Sequence, residues 1–534
     1  MSKIKSLILG SAAVLAASAG AQAADLPVKA KAVQYVKICS LYGAGFYYIP
    51  GTDTCIKLGG YVQLDVNIAS NNYNNPFATS ASPAAIFTGA GGIPDGVSFL
   101  HDRTASNYTT RTRVNFNLDT RTATEYGVVR TYWASNFEHS SGFAPSSGNL
   151  TVDLGFIQFA GFTFGKAISG FITPWSAYTA NVNSSAFIGG ADNATGITQV
   201  AYTWQFGNGV SAQIGVEDNS TIQRAPVLNA GGVLGNSYIF TGATGVPAGQ
   251  SSVISALSTN PYVWGTGPVV SPDIVGNIKV DQAAFTAQLS GAVHNVSANR
   301  YIDAASVTGT APSLGTDANG HPGDKWGWAI SGGLLLKNLP TGAGDKFSVD
   351  VTYTEGAPKY IIGGTVGNSY AFFSGTTFAA AALFDGVYGG AGSSIELTKA
   401  WGVRAAYLHN WTPNWETGVF GSYTSVDYNG NATGYIRNAL TPSGGLGAQT
   451  GLSGAQAAAY NPDFKIWQIG TRTAWTPVQN LTFSGELLYT YIDQANDGLG
   501  ATAAVKPGGT LGSAAYTFKD LGVFTGNLRV RRTF

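Results

Sequence analysis

The residues best suited to chemistry in this chain of 534 residues are arginines set two apart: Arg111 with Arg113, and again Arg529 with Arg531, with Arg130 following the first pair. In an extended strand, successive side chains point to opposite faces, so residues two apart share one face. Each pair therefore presents two guanidiniums on one side, a row of fixed positive charge. Facing water, such a row sorts solutes by sign and makes or breaks no bond. Asp65 and Asp119 sit in segments of the same kind and would supply opposing charge, with Arg472 and Lys166 as secondary members of the set. Catalytic chemistry has less support. None of the five histidines, His101, His139, His294, His321 and His409, lies in a nucleophile motif such as G-x-S-x-G, and His409 in LHNW reads as a strand residue at an interface. Cys39 and Cys55 are the only thiols. Without nearby histidine they make half a tetrahedral metal set. In an oxidising compartment they suit a disulfide better than two free thiols.

The elements that must position these charges show as period-two alternation in segments of about ten residues, the pattern of strands with one face in lipid and one in water. From Tyr61 to Ile68, Val62, Leu64, Val66 and Ile68 share one face and Gln63, Asp65 and Asn67 the other. From Arg111 to Asp119 the outward set is Thr112, Val114, Phe116 and Leu118, opposite Arg111, Arg113, Asn115, Asn117 and Asp119. Leu481, Phe483, Gly485, Leu487, Tyr489 and Tyr491 oppose Thr482, Ser484, Glu486 and Thr490, and the last strand sets Phe524, Leu528, Val530 and Phe534 against Asn527, Arg529, Arg531 and Thr533. Arg532 falls on the outward parity, near enough to the rim to snorkel.

Connections alternate short and long. Tight turns are expected at Thr120-Arg121, Ala160-Gly161, Asn208-Gly209, Asp281-Gln282, Pro340 to Gly342, Pro413-Asn414 and Pro477 to Asn480. Between them lie long stretches rich in Gly, Ser, Asn and Ala, such as Ser169 to Gly196, Gly356 to Ser394 and Tyr428 to Asp463. A soluble sandwich has no reason for that asymmetry; short periplasmic turns and long extracellular loops are its natural cause. The count is sixteen strands, or eighteen if Asn219 to Pro272 hides another hairpin. Sixteen leave an aqueous lumen and not a packed interior. Trp411, Trp415 and Trp475, where strands meet turns, suit an interfacial girdle.

The start of the chain agrees. Lys3 and Lys5, an apolar run from Leu7 to Ala17 and Ala21-Gln22-Ala23 read as a cleaved export signal, residues 1–23, with the mature protein starting at Ala24. Residues 24–54 are a periplasmic lead-in and 55–534 the strands and loops. No later stretch is apolar enough for a membrane helix, so membrane residence requires a closed barrel. With 71 Gly, 12% aromatic and 11% charged residues, the composition is far from the roughly 25% charged of soluble domains. Loss of Lys3 and Lys5 leaves 27 basic against 29 acidic residues, which argues against a nucleic-acid partner. The expected fold class is an all-β, antiparallel transmembrane barrel.

VQYVKICSLYGAGFYYIPGTDTCIKLGGYVQ (Val33 to Gln63) closely resembles the start of the alphaproteobacterial porin family of rhizobia and their relatives, and IQFAGFTFGK (Ile157 to Lys166) and the terminal VRRTF (Val530 to Phe534) resemble the same family. The resemblance implies a trimeric, sixteen-stranded general-diffusion porin without cofactor, set in outer-membrane lipid and lipopolysaccharide. Its third extracellular loop would fold inward to narrow the pore for small hydrophilic solutes, and Phe534 would be read by the barrel assembly machinery. On that pattern Arg111, Arg113, Arg130, Arg529 and Arg531 form a basic wall. Phe171, Trp175, Tyr178 and Asp192 belong to the constriction loop, where Asp192 is the sole acidic residue. Such loops usually carry several acids facing the wall, so conduction is expected to be neutral to mildly anion-favouring. Rivals are an outer-membrane hydrolase, a non-conducting adhesin and a sugar channel with a greasy track of Phe171, Trp175, Tyr178 and Phe187.

Overall fold

The computed structural model describes residues 37–70, 75–76, 107–141, 149–175, 179–182, 186–219, 225–231, 266–301, 320–362, 369–441, 453–501 and 516–534. The expected leader, residues 1–23, and the first part of the lead-in lie outside them, as does Tyr178. The chain divides into two compact units, Met1–Ile56 and Lys57–Phe534. In the first, a single 3-10 turn, Ser40–Tyr42, precedes a short strand, Tyr47–Tyr48, that pairs with Ile56 and Cys55. Cys39 and Cys55 form a disulfide, buried beside Phe46 and flanked by Tyr42 and Tyr48. A stretch this small cannot bury enough apolar surface by itself, and the covalent link compensates.

Sixteen antiparallel strands close a barrel. In chain order they are β1 (Thr54–Ile68), β2 (Tyr108–Thr124), β3 (Gly127–Ser140), β4 (Asn149–Phe159), β5 (Phe162–Ala167), β6 (Ile197–Gly207), β7 (Val210–Glu217) and β8 (Asp273–Asp281), followed by β9 (Phe285–Val296), β10 (Lys325–Lys337), β11 (Lys346–Glu355), β12 (Lys399–Thr412), β13 (Trp415–Asp427), β14 (Phe464–Val478), β15 (Leu481–Gln494) and β16 (Leu521–Thr533). Each pairs with its sequence neighbour. The count of eighteen is excluded because β7 pairs directly with β8, from Glu217 opposite Asp273 to Val210 opposite Val280. Closure brings β16 back to β1, with Tyr61 opposite Thr533 and Ile68 opposite Gly526.

The seam is tight. Phe534 and Gly60 exchange two backbone hydrogen bonds, at 3.0 and 3.2 Å, while a Cβ on Gly60 would overlap the Asn115 carbonyl of β2. Gly60→Ala is therefore expected to destabilise the barrel by about 2 kcal/mol, the order of an overpacked site. The urea midpoint of the detergent-refolded protein measures this, and an unchanged midpoint would contradict the close approach.

The alternation predicted for the strands is present. Val62, Leu64, Phe524 and Leu528 are exposed on the outer surface while Gln63, Asp65, Asn67 and Asn527 are buried inside. Ala160 with Gly161, and Asn208 with Gly209, all have positive φ, the backbone of two-residue hairpin turns that match strand twist. One turn differs from expectation. The alternation runs on past Thr120-Arg121 to Thr124, and the chain turns at Glu125-Tyr126. Trp411, Trp415 and Trp475 ring the outer surface at the turn end, with Trp415 stacked on Trp475 at 5.7 Å. At the same rim His409 Nδ1 lies 2.8 Å from Asp345, which also accepts from the Asn410 amide, Thr341 and Tyr407. Burial alone would raise the Asp345 carboxyl, but these donors hold it well below the usual carboxylate range.

The long connections are not bare loops. Ser369–Ser374 and Thr377–Ala382 form a hairpin whose second strand pairs in parallel with Tyr516–Phe518, and Val227–Asn229 pairs in parallel with Gly386–Tyr388. Helix α1 (Gly430–Leu440) is capped by Asn429, and α2 (Gly454–Ala459) by a Ser453/Gln456 capping box. Phe378, Phe384, Ile436 and Phe518 from these pieces bury together with Phe187 and Ile188 of the third loop and with the inward-facing Phe420 and Leu488 of the wall. The lumen beside β13–β15 therefore holds an apolar core and not water.

Candidate functional site

The third loop leaves β5 after Ala167, returns at Ile197, and folds into the barrel along its inner wall. Three groups of hydrogen bonds hold it, each from wall residues of inward parity. Near its start, Asn277 of β8 donates to the Gly170 carbonyl at 2.6 Å and Gln288 of β9 to the Ile172 carbonyl at 3.0 Å. At its far reach, the Asn181 amide donates to Glu486 of β15, and its side chain bonds Ser484 and Asn527 at 2.9 and 3.0 Å. On the way back, Gln468 of β14 accepts from the Ile188 amide and donates to the Ala186 carbonyl, and Arg404 of β12 donates to the Ala191 carbonyl at 3.0 Å. Arg404 is fully buried and paired with Asp350 at 2.7 Å. Its guanidinium occupies the space a Cβ on Gly190 would need.

The sequence-predicted charges converge on β16 and β1–β3. Asp65 is shared by Arg111 and Arg529, both at 2.7 Å. Arg113 pairs with Glu138. Arg130 pairs with Asp119 at 3.0 Å, and so does Arg121, which sequence reasoning assigned to a turn. The signal for Arg121 was present: it continues the parity of Asp119. Arg531 donates to Gln63 at 2.7 Å and lies 4.4 Å over the Tyr61 ring; among the described residues it has no carboxylate at ion-pair distance. Arg529 also donates to the Asn181 carbonyl at 2.9 Å, joining this wall to the loop. Arg472 bonds Asn181 and Glu416. Arg532 lies at the turn end, bonded to the Gln479 carbonyl, as snorkelling requires.

The described loop residues are buried against the wall. Phe171 is buried with its ring 4.3 Å from that of Tyr360, and Trp175 is buried beside Gly333 of β10. Asp192 is 1% exposed and accepts from the Ala194 amide at 2.9 Å. Phe187 is enclosed against Phe420. These aromatics pin the loop and cannot form a greasy track, and Asp192 is turned into its own bend and away from water. Lys166 corrects an expectation as well: it shares parity with the exposed Phe162 and Phe164, opposite Thr198, and donates to the Val152 carbonyl on the outer side.

One cluster had no local signal. Asp273 at the start of β8 receives Lys359 at 2.6 Å, Tyr360 at 2.7 Å and Asn219 at 2.6 Å, with His294 Nδ1 2.7 Å away. His294 Nε2 is 3.2 Å from Asp385. All are buried. Burial, with the nearby carboxylates of Asp273 and Glu217, holds the Tyr360 phenol protonated well above the usual tyrosine range. The β7–β8 and β11–β12 connections thereby meet strands β8 and β9 at one ionic knot.

Comparison with known proteins agrees with this architecture. The profile of the Porin subfamily matches residues 25–526. The porin Omp2b of Brucella suis is 33% identical over 223 residues, 40% of this chain and 52% of that protein. Omp2b of Brucella canis is 34% identical over 224 residues, 40% of this chain and 54% of that one. The chain thus spans about half the length of these relatives. The outer membrane channel DcaP of Acinetobacter baumannii shares the fold with a TM-score of 0.52 at 15% identity, covering 91% of this chain and 99% of that one. A closed barrel of sixteen strands, an inward third loop and a family match over nearly the whole length identify the chain as a member of the porin subfamily of outer-membrane proteins.

Proposed function

We propose that the chain forms a passive, water-filled channel for small hydrophilic solutes and ions, assembled as a homotrimer in outer-membrane lipid and lipopolysaccharide, with Phe534 as the signal for barrel assembly. The observation that carries this reading is the opposition of loop and wall. The third loop and the apolar core behind it occupy the β8–β15 side of the lumen. The water path is left along β16 and β1–β5, where Arg111, Arg113, Arg121, Arg130, Arg529 and Arg531 face four carboxylates, Asp65, Asp119, Glu138 and Asp153. Among the described residues of this path the arginines outnumber the carboxylates by two, and the buried Asp192 adds no lumenal acid to balance them. Fixed charge at a constriction selects by sign, so the channel favours anions mildly. It turns nothing over: His294 is enclosed by Asp273 and Asp385, and His409 is held at the rim by Asp345.

Reversal potentials in planar bilayers under a KCl gradient test this. The expected sign is anion-selective, and replacing Arg121, Arg130 and Arg531 together by Gln is expected to move the potential toward cations. Cation selectivity of the unaltered chain would remove the charge assignment, and absence of conductance would remove the channel. Closures in three equal steps are expected from a trimer.

A further inference from the structure

Two aromatic rings on the inner wall serve no purpose in the fold's core. Tyr132 of β3 and Phe156 of β4 are register partners with rings stacked 5.3 Å apart at 26°. Both share the parity of Arg130 and Gln158, which are hydrogen-bonded to each other at 3.0 Å, while the alternate residues Trp133 and Ile157 are exposed outward. The rings are only half-buried. An apolar pair left open to a polar lumen loses about 25 cal/mol for each Å² kept in water, so this pair is not explained by packing. Beyond Phe156, the next inward position across the sheet is Gly165, with no side chain to cover the ring. One edge of the pair is cationic. The Arg130 guanidinium lies 5.2 Å from the Tyr132 centroid and 5.5 Å from that of Phe156. Arg130 and Arg121 both pair with Asp119 and both remain more than a quarter exposed, so guanidinium N–H groups at this edge stay in reach of solvent.

We infer that this ledge, Tyr132 and Phe156 edged by Arg130 and Arg121, is a binding subsite for small aromatic carboxylates. A flat ring stacks on the space beside Phe156 while its carboxylate meets the guanidinium edge. Acetate obtains only the charge, and a puckered ring of similar size obtains charge without face-to-face π contact. Phe156 stands four residues before the Ala160-Gly161 turn, as far from its turn as the loop-holding Asn277 and Ser484 stand from theirs, so the ledge lies at the depth of the loop constriction, where a bound solute interrupts the current of the open pore. The inference rests on the channel reading proposed above.

The probes are benzoate, cyclohexanecarboxylate and acetate, added at equal millimolar concentration to single channels of the refolded full chain. Benzoate is expected to produce current interruptions that acetate does not, and to bind roughly two- to tenfold more tightly than cyclohexanecarboxylate, the range of an aromatic pair contact. Phe156→Leu and Tyr132→Leu are each expected to weaken the benzoate block by a similar factor and to bring it to the level of cyclohexanecarboxylate. The comparison of the three anions on the unaltered chain needs no variant to fold. Conductance with equal responses to benzoate and cyclohexanecarboxylate overturns the subsite alone. A chain that does not conduct overturns the channel reading and the subsite with it.

Discussion

Arg404→Met is expected to destabilise the barrel by about 3–5 kcal/mol, the loss seen when one partner of a buried ion pair is removed, and to raise single-channel conductance. Arg404 and Asp350 are each about 1% exposed. Methionine fills similar space but leaves the Asp350 carboxylate buried without a cation, and the Ala191 carbonyl loses its donor. Ala191 and Gly190 belong to the returning limb of the third loop, so the same substitution that weakens the wall releases the element that narrows the lumen. Two measurements separate the effects. Replacing Asp350 by Leu in the Arg404→Met background is expected to recover much of the unfolding free energy, because an apolar pair replaces an ionic one. Conductance is expected to stay high, because the Ala191 anchor is still missing. Normal conductance in the single variant would show that the loop is held without Arg404.

Asp273→Ala is expected to have a comparable effect on stability, about 3–5 kcal/mol in detergent unfolding, with a different local signature. The carboxylate neutralises Lys359, which is 1% exposed, and it sits against His294, Tyr360 and Asn219. Without it Lys359 is a buried cation with no partner, and the lower-energy state carries the 3-10 turn Pro358–Tyr360 out to solvent. Limited trypsin digestion is expected to cut after Lys359 in the variant and not in the unaltered protein. Resistance to trypsin together with an unchanged unfolding midpoint would mean that the turn is held by Phe171 packing on Tyr360 and not by the ionic knot.

Both predictions concern residues that sequence reading left aside, whereas the basic wall was legible. Arg111, Arg113, Arg529 and Arg531 lie two apart in strands whose other face is apolar, and water inside against lipid outside imposes that period on every strand. Parity alone therefore sent them inward, and neighbouring strands brought them together. Lys166 was misplaced because β5 has only six residues, too few to display its parity before the chain leaves the wall. Arg121 was lost to a turn because Thr and Arg suit a turn and a strand equally well.

The amino-acid sequence by itself determined the closed barrel, a count of sixteen or eighteen strands, the short and long ends and the wall of arginines, because each follows from a repeating choice between lipid and water made residue by residue; the direct pairing of β7 with β8 decided the count. Tertiary structure alone decided where the long connections go. Asp192, Phe171 and Trp175 are buried because Asn277, Gln468 and Arg404, 107 to 282 positions beyond their partners, offer the loop carbonyls of Gly170, Ala186 and Ala191 better partners than water does. The ionic knot at Asp273 draws on residues 219, 294, 359, 360 and 385, and no short-range pattern predicts a meeting of that kind. The free energy of burying a charge depends on what surrounds it in space, and those surroundings exist only once the barrel has closed.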